Sequence, residues 1–294
     1  MAPRSADGPT GRARTAARSR RAIAAVGAVT VCALSVLWAH GDLHEQIAAA
    51  SRAIAKQPRD AALYLVRGEL HRAHHETAPA LADYATALRL DPALDAAHLA
   101  RGRLLLEAHR AADALPDLDR FLARRPDHAD ALVIRARARA AVGDAPHARE
   151  DYDGALSLAA NPDWFIERAR LVRSSAGAAA ALHGLDEGLA RLGPILTLTL
   201  EAIDCELMLG HHDAALARLD RLVTASGAHP HWSLRRGDIL LAAGRTKDAH
   251  RAFSTAVEEI DALPPARRRT RQNQALRARA LSALVHLDTL TRNP

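Results

Sequence analysis

Residues 64–92 read YLVRGELHRAHHETAPALADYATALRLDP, and the spacing of small, large and proline residues in this stretch recurs along the chain. Pro58, Pro92 and Pro126 follow one another at intervals of 34 residues. Alanine recurs in the same register, with a large apolar residue four positions later each time. The six pairs are Ala80 and Tyr84, Ala114 and Leu118, Ala148 and Tyr152, Ala181 and Leu185, Ala215 and Leu219, and Ala249 and Phe253. A period of this length indicates stacked units, none of which buries its apolar face alone.

This register resembles the tetratricopeptide repeat, whose pattern has a small residue at position 8, alanine at 20, an aromatic residue at 24, alanine at 27 and proline at 32. The resemblance covers residues 58–262 as six repeats, although repeat 4 is one residue short and Phe121 stands where a small residue is expected. It implies two short helices in each repeat. The predicted fold is therefore all-α, a right-handed superhelical solenoid of about six helical hairpins with a concave inner face.

The two ends of this solenoid, which we assign to residues 42–262, depart from the repeat. Residues 40–58 fit only the second helix of a repeat, and Asp42 with Glu45 forms a capping box that predicts a helix from about Leu43. At the other end, Pro264 and Pro265 break the chain before a basic segment, 263–294. Residues 266–290 are predicted to form one amphipathic helix that caps the last repeat. The alternative role for that helix is binding an acidic partner or anionic lipid.

The N-terminal segment 1–41 has the pattern of an export signal. Its first 21 residues are polar and arginine-rich, and residues 22–39 follow without a charge. A small residue stands at each of the two key positions before a cleavage point ahead of Asp42, so we predict a cleaved signal peptide. The alternative is an uncleaved membrane anchor, since 18 apolar residues are the short end of a membrane span. Both place the body outside the cytoplasm, as a periplasmic or inner-membrane-anchored protein.

The charge distribution argues against a nucleic-acid partner. Residues 1–41 hold six arginines and one acid, and residues 266–294 hold seven arginines and one acid, so the net charge of +6 comes from the ends. The segment between them is net negative, whereas a nucleic-acid-binding protein normally carries its basic patch on the folded body. Two cysteines, Cys32 and Cys205, do not make a disulfide framework.

Three histidines in ELHRAHH, residues 69–75, raise the question of a metal site, because His71 and His75 are one helical turn apart. The repeat register places His74 and His75 in the turn between two helices, where other repeats carry glycine. We therefore predict no metal site. The sequence also has no nucleotide-binding, hydrolase or zinc-protease motif, so we predict no cofactor, no catalytic residue and no enzymatic activity.

The resemblance also assigns a binding groove, because positions 2, 5, 9, 12 and 13 of the first helix line the concave face in this family. Position 5 carries Leu65, Leu99, Val133, Ile166, Leu200 and Leu234; position 9 carries Glu69, Arg103, Arg137, Arg170, Asp204 and Asp238; position 12 adds Arg72 and Arg173. The predicted groove is apolar along one line, basic in repeats 2–4 and acidic in repeats 5–6. Arginines in a row can each grip a carboxylate, so we expect an acidic peptide along them. The alternative is a solvated face of an arginine-rich protein.

A second regular pairing predicts structure. Arginine recurs at position 7, as Arg67, Arg101 and Arg135, and aspartate at position 23, as Asp83, Asp117 and Asp151. Such pairs indicate a ladder of ion pairs between helices. The predicted function is a non-enzymatic scaffold of the bacterial cell envelope that binds a partner protein or peptide in its groove. The alternative is an accessory subunit of an envelope machine for polysaccharide export, pilus assembly or cell-wall assembly.

Overall fold

The computed structural model of the chain describes residues 43–292, with side-chain surroundings up to Thr289. The predicted signal or anchor, residues 1–41, lies outside the described residues. Within them there are fifteen helices. They are α1 (Leu43–Lys56), α2 (Ala61–Ala73), α3 (Thr77–Leu90), α4 (Asp95–Glu107), α5 (Ala111–Arg124), α6 (Ala129–Ala141), α7 (Ala145–Leu158), α8 (Pro162–Ala176), α9 (Ala178–Leu192), α10 (Leu196–Met208), α11 (His212–Ser226), α12 (Pro230–Ala242), α13 (Thr246–Asp261), α14 (Pro265–Arg268) and α15 (Arg271–Arg292). None of these is long and apolar enough to cross a bilayer.

The first of two compact units holds α1–α4. Its helix α1, described from Leu43 onwards, packs against α2, and the capping residue Asp42 of the predicted helix start lies outside the described residues. Helices α2 and α3 form a hairpin whose buried centre is Tyr84, with Ala80 and Ala87 on either side. The small residues let the two helix backbones approach, and the tyrosine fills the space between them.

The second unit holds α5–α15, and four of its hairpins follow the repeat register. These hairpins are α6 with α7, α8 with α9, α10 with α11, and α12 with α13. The large residues at position 24, from Tyr152 to Phe253, are buried in each of them. Between α7 and α8 only residues 159–161 remain as a connection, which accounts for the shortened repeat. The helical hairpins of both units confirm the all-α repeat prediction.

The C-terminal segment corrects the prediction of one helix over residues 266–290. It forms the short helix α14 and then α15, which starts only at Arg271. The interruption has a local cause, since Thr270 Oγ1 accepts a hydrogen bond from the amide of Asn273 at 3.3 Å and so caps a new helix. Ala280 and Leu287 of α15 are buried against the last hairpin. Helix α15 therefore covers the apolar end of that hairpin.

The histidines of ELHRAHH lie at the corner between α2 and α3. His71 Nδ1 lies 2.6 Å from Glu76 Oε2, and the His74 ring packs edge-on against His44 at 4.3 Å between ring centres. His74 Nδ1 is 3.1 Å from the other Glu76 oxygen but out of hydrogen-bonding alignment. Across residues 43–292 no three His, Cys, Asp or Glu side chains are grouped to hold a metal ion.

The turn residue His75 occupies a conformation that favours glycine. Its φ is 61°, close to the 85° and 74° of Gly143 and Gly210, which stand at the same repeat position. The left-handed region costs a residue with a side chain roughly 1 kcal/mol. The sequence comparison that placed His75 in the turn is thereby confirmed.

Replacing His75 by glycine is expected to stabilise the first unit by about 0.5–1 kcal/mol, since relief of the left-handed strain exceeds the added chain entropy of unfolding. Urea unfolding followed by circular dichroism measures the change. The matched control is Gly143→Ala at the same position of repeat 3, which should destabilise because alanine enters a φ of 85°. A His75→Gly variant no more stable than the parent would contradict this account of the turn.

The ladder of buried ion pairs is confirmed in repeats 1 and 3. Arg67 donates through Nε and Nη2 to both oxygens of Asp83 at 2.8 and 2.6 Å, and Arg135 binds Asp151 in the same way at 3.0 and 2.6 Å. Asp151 accepts a third bond, from Arg139 at 2.8 Å. Both aspartates are buried, so the paired arginines supply the hydrogen bonds that water would otherwise give.

Repeat 5 reverses the charges of this ladder. Alanine occupies position 7, as Ala202, and Arg218 occupies position 23. Arg218 donates to both oxygens of Asp186 at 2.7 and 3.0 Å and to the buried Glu206 at 3.1 Å. The cation and the anion have thus exchanged helices, while the pairing between α10 and α11 is kept.

Candidate functional site

On the first helices of the second unit, position 9 of one repeat is paired with position 6 of the next. Arg137 of α6 donates through Nε and Nη2 to the two oxygens of Glu167 on α8, at 2.8 and 2.7 Å. Two parallel bonds of this kind fix both the distance and the plane of the guanidinium. The hydrogen bonds from Arg137 therefore join two consecutive repeats.

A buried tyrosine also forms a hydrogen bond with the glutamate of this pair. Tyr152, the large residue of repeat 3, donates its hydroxyl to Glu167 at 2.8 Å. Burial alone would raise the pKa of Glu167, but the bonds from Arg137 and Tyr152 hold that pKa below its ordinary value. Burial and the nearby carboxylate raise the pKa of Tyr152. Glu167 is thus a fixed carboxylate at neutral pH, committed to contacts inside the protein.

The next pair repeats the pattern one step along. Arg170 of α8 binds Glu201 of α10 through Nε at 2.9 Å and also through Nη2, and Arg173 reaches the same carboxylate at 3.3 Å. Two arginines of the predicted groove therefore converge on one glutamate. Helices α8 and α10 also contact each other directly, which brings these side chains side by side.

From repeat 5 onwards the polarity of the row is reversed. Asp204 of α10 now supplies the carboxylate, and Arg235 of α12 supplies the guanidinium. Asp238 accepts a bond from Arg279 of α15 at 2.7 Å, so the row continues onto the capping helix. Burial raises the pKa of Asp238, although Arg279 and Arg235 act in the opposite direction.

Two clefts lie between these first helices. The larger, of about 400 Å³, separates α8 from α10 and is lined by Asp163, Ile166, Glu167, Arg170, Thr197, Leu200, Glu201 and Asp204. The smaller, of about 180 Å³, is lined by Leu200, Asp204, His231, Leu234, Arg235, Asp238 and Arg279. Each has an apolar floor from position 5 and charged walls from positions 6 and 9. The predicted groove residues Ile166, Arg170 and Asp204 are thus brought together in one cleft.

In each ion pair one member faces solvent more than the other, and this decides what a ligand meets. Arg170 is 60% exposed and its partner Glu201 only 14%. Arg137 is 46% exposed against 29% for Glu167. Asp204 is 50% exposed against 28% for Arg235, and Arg279 is 62% exposed against 28% for Asp238. The predicted acidic character of repeats 5 and 6 is therefore wrong at repeat 6, where an arginine from α15 covers Asp238.

The predicted apolar stripe at position 5 is only partly open. Val133 and Leu234 are almost wholly buried and belong to the core, whereas Leu200 is half-buried at the floor of both clefts. Neighbouring first helices lie close enough to cover the floor between them. A ligand in this part of the groove would meet charged and polar walls before it met the stripe.

The first unit holds the remaining predicted groove residues. Glu69 accepts hydrogen bonds from Tyr84 at 2.7 Å and from Arg72 at 3.2 Å, and Arg72 also reaches Glu107 of α4 at 3.3 Å. Leu65, Leu99 and Arg103 are half-buried. Glu69 and Arg72 are therefore paired with each other, so neither is an unpaired charge in the groove.

Sequence reasoning missed the position 6 side chains that neutralise the row. These residues are Glu167, Glu201 and Arg235, together with Arg279 on the capping helix. A signal for three of them was present, because the residue 30 or 31 positions after Arg137, Arg170 and Asp204 carries the opposite charge. The family pattern directs attention to position 9 alone, and the complementary column lies outside it.

Comparison with protein families places the repeats in a known group. Residues 99–163 and 206–267, together less than half of the chain, match the family described as tetratricopeptide repeat. No curated protein matches the sequence.

Three solved structures with similar folds are distant from this chain in sequence. A tetratricopeptide repeat protein from Parabacteroides merdae is 20% identical, with a TM-score of 0.52 over 82% of this chain and 93% of that one. YrrB, described as having an unusual peptide-binding site, is 17% identical with a TM-score of 0.51 over 68% and 97%. PilW, described as a type IV pilus biogenesis factor, is 21% identical with a TM-score of 0.52 over 62% and 86%. At sequence identities this low, the structural similarity shows a shared fold alone.

Proposed function

Since two parts of the chain match the tetratricopeptide repeat family, we propose that it is a non-enzymatic scaffold that binds a partner protein through the face formed by the first helices of repeats 3–6. The observation that carries this proposal is the cleft between α8 and α10, where an exposed arginine stands beside an apolar floor. Such a surface suits a peptide that offers both carboxylates and apolar side chains.

The arginines of this row keep donors for a ligand even though they are paired. Arg137 uses Nε and Nη2 for Glu167, which leaves Nη1 without a partner among the described residues. Arg170 uses the same two nitrogens for Glu201. A guanidinium has five donor hydrogens in a fixed plane, so a second carboxylate can bind on the open side. The less exposed glutamate of each pair holds its arginine in place before the ligand binds.

A photo-crosslinking side chain at Thr197, in the wall of the larger cleft, is expected to capture a partner protein from the cell envelope. The same side chain at Ser157, exposed on the second helix α7, is the matched control and should capture nothing specific. Arg137→Gln with Arg170→Gln should weaken the Thr197 capture by roughly tenfold, because two charge-assisted hydrogen bonds are lost.

A second pair of variants separates a groove effect from a general loss of positive charge. Arg120→Gln with Arg221→Gln removes two exposed arginines of second helices, neither of which has an ion-pair partner within residues 43–289. Capture at Thr197 should be unchanged in that variant. Equal capture from Thr197 and Ser157, or capture indifferent to Arg137 and Arg170, would exclude the proposed face.

We propose further that the protein acts in the bacterial cell envelope, either as a free scaffold or as an accessory subunit of an envelope assembly. The support is the charge-free run of residues 22–39 behind an arginine-rich leader. Protease added to intact spheroplasts should digest the body of an exported protein and spare it in the cytoplasm. The mass of the purified chain tells a cleaved signal from a retained anchor.

A further inference from the structure

The row of ion pairs on the first helices presents its charges to solvent in an order that the sequence does not show. At each step the more exposed member faces a ligand, and the less exposed member is held beneath it. From repeat 3 to the capping helix the exposed members are Arg137, Arg170, Asp204 and Arg279. The surface order is therefore positive, positive, negative, positive.

Asp204 is the one member of this series that offers a carboxylate. It is shared between the larger and the smaller cleft, and its partner Arg235 is the less exposed of the two. In the larger cleft it stands with Asp163, Glu167 and Glu201, which makes that wall acidic. Asp204, Glu167 and Glu201 are each paired with an arginine, but Asp204 is 50% exposed against 29% and 14% for the two glutamates, so it is the most accessible of the three to a cationic side chain.

The size of the clefts indicates how a ligand backbone would lie. Volumes of about 400 and 180 Å³ accept single side chains, whereas an α-helix is about 10–12 Å across. Adjacent packed helices lie about 8–10 Å apart, and an extended chain rises about 3.3 Å per residue. An extended chain crossing the first helices would thus pass one exposed charge about every three residues.

We infer that the ligand of this face is an extended, mainly acidic peptide segment interrupted by one basic residue, which binds Asp204. Along the first helices its side chains run acid, acid, base, acid, spaced by about three residues. The inference rests on the proposed function, because it specifies the charge order of a ligand for the same face. It also accounts for the reversal of polarity at repeat 5, which a uniformly acidic ligand would not need.

The test uses a randomised peptide library displayed on its own coding nucleic acid and selected on the full chain. Peptides that compete with the Thr197 crosslink are sequenced. We expect Asp and Glu to be enriched at two positions about three residues apart, and Lys or Arg about three residues further on, each by about fivefold. The acidic pair can come before or after the basic residue in the peptide sequence. That order shows in which direction the bound peptide runs across the first helices.

Two conservative variants and a control assign each charge. Asp204→Asn should remove the enrichment of the basic residue and leave the acidic pair, whereas Arg170→Gln should remove one acidic position and leave the basic one. Glu150→Gln changes an exposed acid of the second helix α7 and should leave the whole pattern intact. Loss of the basic preference in Glu150→Gln would show a general charge effect and overturn the inference.

The outcomes separate the inference from the function on which it rests. Competing peptides that are uniformly acidic, or that keep their basic residue in Asp204→Asn, overturn the charge order and leave the binding face standing. Failure to enrich any peptide that competes at Thr197 overturns both. Circular dichroism and melting of each variant confirm that a changed pattern reflects the surface and not unfolding.

Discussion

Replacing Arg67 by methionine is expected to destabilise the first hairpin by about 3–5 kcal/mol. Asp83 is buried and receives both of its short hydrogen bonds, at 2.8 and 2.6 Å, from this one guanidinium. Once Arg67 is gone, the nearest side-chain nitrogen that remains is His71 Nε2, 3.8 Å from Asp83 Oδ2 and beyond hydrogen-bonding distance. Arg67 also donates a hydrogen bond to Ser51 of α1 at 3.1 Å, so the loss of stability extends to α1. Native-state hydrogen exchange of the amides in α1, α2 and α3 measures the change in the local free energy of unfolding.

The double variant Arg67→Met with Asp83→Leu is the decisive companion. A buried ion pair exchanged for apolar side chains of similar size is often neutral or stabilising, because both desolvation costs disappear together. We therefore expect the double variant to recover most of the stability lost in the single one. A double variant as unstable as Arg67→Met would mean that the arginine stabilises by packing and not by compensating a buried charge. Arg72→Met leaves no buried carboxylate without a partner, so it should lower the free energy of unfolding much less than Arg67→Met does.

Replacing Gly237 by alanine is expected to destabilise the last hairpin by about 1–3 kcal/mol. A β-carbon at this position would lie 2.5 Å from Cε1 and 2.6 Å from Cδ1 of Phe253. The phenylalanine ring is fully buried and cannot move aside without displacing its own neighbours. Hydrogen exchange of α12 and α13, or the melting temperature of the chain, measures the loss.

The control for Gly237 is a helical glycine with room around it. At Gly154 in α7 the nearest atom to an added β-carbon is Leu132 Cδ1 at 3.5 Å, an ordinary contact. Gly154→Ala should therefore stabilise by about 0.5–1 kcal/mol, through helix propensity alone. Phe253→Leu should partly rescue Gly237→Ala by removing the atoms that clash. If Gly237→Ala behaved like Gly154→Ala, the close approach of α12 to Phe253 would be disproved.

The hairpins were predictable because each repeat has the same packing problem. Alanine at position 20 and a large residue at position 24 recur because two helices can approach only where side chains are small, with one bulky group between them. That constraint is local and periodic, so a single sequence displays it six times. The same reasoning places His75 in a turn, because glycine at the same position of other repeats indicates a left-handed backbone.

The parts that escaped prediction depend on contacts between repeats. Position 9 alone presents Arg137 and Arg170 as free charges, because their partners stand at position 6 of the following repeat. Which member of a pair is exposed depends on how neighbouring helices overlap, and Arg279 enters the site only because α15 packs on the last hairpin. The break before α15 was missed because a threonine cap inside an arginine-rich run is a weak signal beside the amphipathic pattern that continues past it.

The reversed polarity at repeat 5 has a consequence for how this gene can lose repeats. Excising repeat 4 would place Arg137 opposite Glu201, and the charges would still match. Excising repeat 5 would place Arg170 opposite Arg235, with two like charges in contact and Asp204 removed. A single exposed ion pair contributes little to the free energy of unfolding. The like-charge contact instead disfavours repeat 4 and repeat 6 as direct neighbours. We therefore expect an in-frame deletion of repeat 5 to leave a charge mismatch on the first helices that a deletion of repeat 4 does not leave.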